Sequence, residues 1–151
     1  MQKKKIIFFL IVTATLIWLV FMTYLSHQDG KHLWETSSKL TEWFGFLDVD
    51  SNKLNKDLRS AAHFIVFLVF AILFGAVVHM GRLSRWLMVF PFIWAVIDEA
   101  TKPFMVGRHF AWPDLGRNEA GALVGYLIVY LIYRQRWKNR QKDGDEIGKA
   151  G

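Results

Sequence analysis

The sequence predicts an all-α membrane protein, a four-transmembrane-helix bundle with an extracytoplasmic amphipathic helix lying at the interface. Hydrophobic residues make up 53% of the 151 and aromatic residues 16%, a balance that, with the apolar residues gathered in long blocks, marks an integral membrane protein. The apolar residues fall in four long blocks rather than in short alternating runs. Lysine and arginine gather beside one set of block ends.

The first block, 6–25, is twenty residues without a charge, and at about 1.5 Å of rise per residue it covers a hydrocarbon core of about 30 Å. Lys3, Lys4 and Lys5 precede it as they would in a secretory signal. The apolar run is too long for one, however, and Tyr24-Leu25-Ser26 offers no small-x-small cleavage site, so the segment reads as a retained anchor. Three further blocks follow at 61–80, 83–103 and 118–133. Together they make one four-span domain over residues 1–133, followed by a basic tail over 134–151.

The flanks 1–5, 81–85 and 134–151 are far denser in lysine and arginine than 26–60 and 98–117, which places both termini in the cytoplasm. The tail residues Arg134, Arg136, Lys138, Arg140 and Lys142 then face the anionic inner leaflet, so the net charge of +6 reflects orientation and lipid contact, not nucleic-acid binding. Most of the acids fall on the outer side. In 26–60, Leu33, Leu40, Phe44 and Leu47 recur near helical spacing beside Trp34 and Trp43, with Lys31, Glu35, Lys39 and Glu42 opposite. That pattern describes a helix in the outer headgroup region, or equally one whose apolar stripe packs on the bundle. Asp48, Asp50, Ser51 and Asn52 form a turn from which Ser51 or Asn52 can cap the second span.

The candidate site lies where acids meet the end of the third block. Asp98 and Glu99 stand there, and a charge at membrane depth costs roughly 2.5–3.5 kcal/mol even on a lenient scale, which makes intramembrane acids functional candidates. Measured up from Arg85 by helical rise, Asp98 stands roughly 20 Å above the inner boundary. His63 stands roughly 27 Å up and Arg59 roughly 33 Å, while Asn118 and Asp114 reach roughly 24 Å and 30 Å. Polar groups from three helices thus meet at one level, as a polar pocket opening outward. Gly121 and Gly125 continue the Asp114/Asn118 face inward as a small-xxx-small pattern that admits a neighbouring helix.

These residues carry a resemblance. Asp98-Glu99, Gly107-Arg108, Asp114, Asn118 and the paired Gly121 and Gly125 resemble the VanZ-like family of bacterial membrane proteins. Tyr24-Leu25-Ser26-His27-Gln28 and Leu58-Arg59-Ser60-Ala61-Ala62-His63 are similar to its upstream elements. Lys102 stands where the family usually has Gln, and Ser60 where it often has Lys. The resemblance implies a multi-pass protein of the bacterial plasma or inner membrane, related to one associated with low-level resistance to the glycopeptide teicoplanin. It implies no particular reaction.

Arg108, with its planar fork at the outer surface, is the leading ligand contact for phosphate or carboxylate. Arg59, Lys102, Asp114 and Asn118 complete the candidate ligand-binding set, and an anionic or polyprenyl-linked envelope lipid is the expected partner beside the bilayer itself. Glu99 with His63, and less directly Asp98, are the catalytic candidates if the site is an enzyme acting on polyprenyl phosphate or phospholipid. Against this stands a purely structural network, in which Glu99 or Asp98 pairs with Arg108 or Arg59, and Asp114 with Arg108. A divalent cation on His63, Asp98, Glu99 and Asp114 is a weaker alternative, since no close-spaced ligand motif is present. The chain has no cysteine, no base is identifiable for a Ser26 nucleophile, and no nucleotide or cofactor motif is present. His27, His32, His79 and His109 read as surface or interfacial.

Overall fold

In the computed structural model of the chain, the backbone is described for residues 2–27 and 51–149 and the side chains for 2–27 and 57–134. The expected interfacial helix and the turn after it fall largely outside these residues. Among the described residues every regular element is helical: α1 (Gln2–Ser26), α2 (Ser51–Met80), α3 (Phe90–Thr101) and α4 (Trp112–Lys149). Two segments, Gln2–Ser26 and Asp57–Met80, are long and apolar enough to cross a membrane.

The third apolar block departs from the continuous helix expected of it. Residues Arg85–Val89 form a 3-10 turn, α3 follows, and Lys102–Phe104 form a second 3-10 turn. Pro91 and Pro103 account for the breaks, since each lacks an N–H and sits in the first turn of its helix, where that donor would be unpaired anyway. The fourth block lies within α4, which begins at Trp112 and continues through the basic segment to Lys149.

Contacts fix the direction of each helix. Ser26, at the end of α1, bonds Asp98 near the end of α3, while Phe8 near the start of α1 lies against Gly81 just past α2. Trp18 ties α1 to α2 midway, its indole N–H donating to the Val66 carbonyl at 3.0 Å. The helices α2 and α4 run parallel, meeting first at Phe64 and Gly121, then at Leu68, Ala71 and Gly125, and further on at Gly75 and Val129. An added Cβ on Gly121 would stand 2.1 Å from the Phe64 carbonyl oxygen, and on Gly125 2.7 Å from both Ala71 Cβ and the Leu68 oxygen. The paired glycines therefore serve the close approach that their spacing predicts.

Among the described residues, two apolar clusters lie in the interior. Met22, Phe67, Phe70 and Ala95 join α1, α2 and α3, with Trp94 and Leu115 packed beside them. Val78, Met88 and Val129 join α2, the first 3-10 turn and α4. The outer face of α1 stays open, with Phe9, Leu10, Ile17 and Val20 exposed, as befits a lipid-facing helix.

Candidate functional site

The polar residues collect at the end of the bundle where α1 and α3 finish and α4 begins. Glu99 is fully buried on α3, and its carboxylate is used on both oxygens. Oε2 accepts the Lys102 ammonium one turn along, and Oε1 accepts the Ala111 backbone N–H at 2.9 Å. Lys102 is itself only 1% exposed, so each charge neutralises the other in a site neither could occupy alone. The Ala111 bond folds residues 105–111 back over α3 and sets where α4 starts. Lys102 is thus a partner of Glu99 beside Arg108 and Arg59, the candidates the sequence offered.

Asp98, almost as deeply buried, faces α1. Its Oδ2 accepts the Ser26 hydroxyl at 2.7 Å, while Oδ1 has no hydrogen-bond partner. Thr101 donates to the Asp98 carbonyl at 2.9 Å and lies 2.9 Å from His27 Nε2. His27 Nδ1 stands 2.8 Å from the Thr23 carbonyl, which can only accept, so that nitrogen carries a proton. Ser26, His27 and Thr101 hold the ends of α1 and α3 together, a role sequence reasoning missed. His27, expected at the surface or an interface, directly follows Ser26 at the end of an apolar run, and that position is the signal in the sequence for its role.

The third group surrounds Asp114 in the first turn of α4, where a carboxylate suits the positive end of the helix dipole. Arg117 donates to Asp114 Oδ1 at 2.6 Å, and His63 Nε2 of α2 stands 3.6 Å from Oδ2. Asp114 thus pairs with Arg117, where Arg108 had been the candidate. Arg59 lies one turn before His63 on the same face of α2 and is exposed. Arg108 is partly buried in the 105–111 loop, after Gly107 with its left-handed φ of 74°. Burial and then the charge of Arg59 push its guanidinium below its ordinary value, whereas Glu99, Asp114 and Asp98 push it up; it remains a cation at any physiological pH. The charges of Arg59 and Arg108 therefore act on one another beside the acids of the cluster.

Asn118 lies deeper on α4, fully buried, and neither atom of its amide has a hydrogen-bond partner. Buried amides in folded proteins are almost always satisfied, so an orphaned one marks polar space rather than apolar packing. The Trp94 indole nitrogen and Thr23 hydroxyl are likewise buried and unpartnered. Among the described residues, no group of three or more His, Asp or Glu is placed to hold a metal ion. His79, expected at an interface, is buried instead; it stacks on Tyr133 with ring centroids 3.8 Å apart, because it continues the Gly75 face of α2 against α4. His109 is exposed, as expected.

No curated protein and no solved structure matches the chain. A family model described as VanZ/LLP1 matches residues 9–133, a range that contains every residue of the cluster.

Proposed function

From the premise that the chain belongs to the VanZ/LLP1 family, one generally linked to glycopeptide resistance, we propose that it binds the phosphate of an anionic envelope lipid at Arg108 and Arg59. The protein crosses the bacterial cell membrane four times, with both termini cytoplasmic and the polar cluster facing outward. The distribution of basic residues supports this orientation: Lys3, Lys4, Lys5, Arg82, Arg85 and Arg134 lie at one end of the bundle, against Arg59, Lys102, Arg108 and Arg117 at the other, where the last four stand among Asp98, Glu99 and Asp114. Large apolar residues stand exposed at both ends, Trp86 at the basic one and Phe104, Val106 and Trp112 at the other, where membrane proteins carry interfacial anchors. The third crossing is assembled from pieces: the twelve residues of α3 rise about 18 Å, and the five of the 3-10 turn add about 10 Å.

The observation that supports the ligand reading is that the Arg59 and Arg108 guanidiniums lie near enough for the charge of one to act on the other, beside the acids of the cluster. Like charges so placed repel, and a tetrahedral anion between them relieves the repulsion through paired hydrogen bonds. The lipid's chains lie against the bundle, whose outer surface is apolar. Antibiotic resistance would follow if the bound lipid is a wall precursor or its carrier. The enzyme alternative through Glu99 is less well supported, because a general base needs an oxygen free to take a proton and both oxygens of Glu99 are engaged.

Native mass spectrometry of protein extracted in its own membrane lipid tests the proposal. The wild type should carry an anionic polyprenyl or phospholipid species that a folded Arg108→Ala protein loses, with a smaller loss in Arg59→Ala. Equal lipid retention in all three would refute an anion site at these arginines.

A further inference from the structure

The opposite end of the bundle carries an arginine in a backbone conformation that glycine usually fills. Helix α2 closes with the Leu83 N–H on the Val78 carbonyl at 3.0 Å and the Arg82 N–H on the His79 carbonyl at 3.3 Å, the paired bonds of a Schellman motif. The motif demands a left-handed residue at the position Arg82 occupies, and its φ is 53°. Glycine takes that conformation without steric penalty and is the usual residue there. Arg82 is the one positive-φ residue other than glycine among the described residues. A strained conformation retained at an exposed arginine points to a use for its side chain.

Its surroundings identify the use. Arg85 begins the 3-10 turn whose Met88 packs on Val78 and Val129; at three residues per turn, Arg85 and Met88 share the face turned toward α2 and α4. Arg134 follows Tyr133, which stacks on His79, three residues before Arg82. The stack thus brings the end of α2 beside Arg134. All three arginines are exposed, and none makes an ion pair among the described residues. Trp86, 82% exposed, stands beside Arg85 where an indole sits at the headgroup level of a bilayer.

We infer that Arg82, Arg85 and Arg134, with Trp86, form a second lipid site at this end, one that takes the phosphate of an anionic phospholipid headgroup. The site is distinct from the Arg108 cluster and does not depend on it. Simple orientation by positive charge would be served as well by lysine; the planar fork of arginine adds bidentate hydrogen bonding that a phosphate can use. The protein's own surface supplies the acyl-chain contact, since Leu83, Leu87 and Val89 are exposed alongside.

Thermal unfolding of the full chain in uncharged detergent tests this, with cardiolipin, phosphatidylcholine or inorganic phosphate added. Cardiolipin should raise the wild-type midpoint, and the other two should leave it near its starting value. Compared in an Arg108→Ala background, which removes the other proposed anion site, Arg82→Gly should unfold at a higher temperature without lipid, because the left-handed strain is gone, yet should lose most of the cardiolipin shift. Arg82→Lys and Arg85→Gln should also lose it while remaining folded. A full cardiolipin shift in Arg82→Gly, or an equal shift with phosphatidylcholine, would overturn the inference, and a shift with inorganic phosphate alone would show a free-anion site in place of a lipid one.

Discussion

The seam between α2 and α4 can be tested one glycine at a time, because its contacts predict a graded response within a single helix. Cβ atoms essentially never come within 3.0 Å of such neighbours, and the Cβ of Gly121→Ala would meet the Phe64 carbonyl oxygen at 2.1 Å. That oxygen belongs to helical backbone and cannot rotate away, so the two helices must part by about 0.9 Å. Separation on that scale forfeits much of the van der Waals contact along the seam, and overpacking of this kind costs about 3 kcal/mol. At Gly125 the conflict is only 2.7 Å, and half of it is with the Ala71 methyl, so Gly125→Ala should cost less, about 1–2 kcal/mol. At Gly116, one turn and a half nearer the start of α4, nothing lies within 4 Å of an added Cβ. Gly116→Ala should therefore stabilise the helix by about 0.5–1 kcal/mol through lower backbone entropy. Unfolding by sodium dodecyl sulfate titration in a fixed detergent background reads all three. Equal stability of Gly121→Ala and wild type, or a loss in Gly116→Ala comparable to that in Gly121→Ala, would refute the close-packed seam.

Two further perturbations address the buried polar groups. Lys102→Met leaves the Glu99 carboxylate without its cation and should destabilise by about 3–5 kcal/mol, and Glu99→Gln should do the same through Lys102; the double substitution should recover most of the loss, and a double-mutant cycle showing simple additivity would mean the pair is not coupled. Asn118→Leu removes an amide with no partner and should leave stability in lipid-free detergent unchanged or about 1–2 kcal/mol higher; a clear loss would show that the amide is already satisfied in the folded protein.

The sequence by itself determined the helical class, the apolar segments and the end at which the acids gather. Those features depend on residue type and helical rise alone: 6–25 is uninterrupted and uncharged, and the distances from Arg85 and Arg134 place Asp98 and Asp114 near one level whatever their neighbours are. The Gly121/Gly125 approach was legible for the same reason, since spacing of four puts both on one face. Partner choice was not legible. The sequence offered Glu99 either Arg108 or Arg59, and only the fold, which ends α3 at Thr101 and turns residues 105–111 back toward Glu99, brings the carboxylate to Lys102 and the Ala111 N–H. Ser26, His27 and Thr101 look like ordinary residues beside helix ends until α1 and α3 finish side by side. His79 looks interfacial until parallel packing of α2 and α4 buries it against Tyr133. The periodicity of one helix fixes which side chains share a face; which face meets which, and therefore which charge finds which, is decided only when the helices pack.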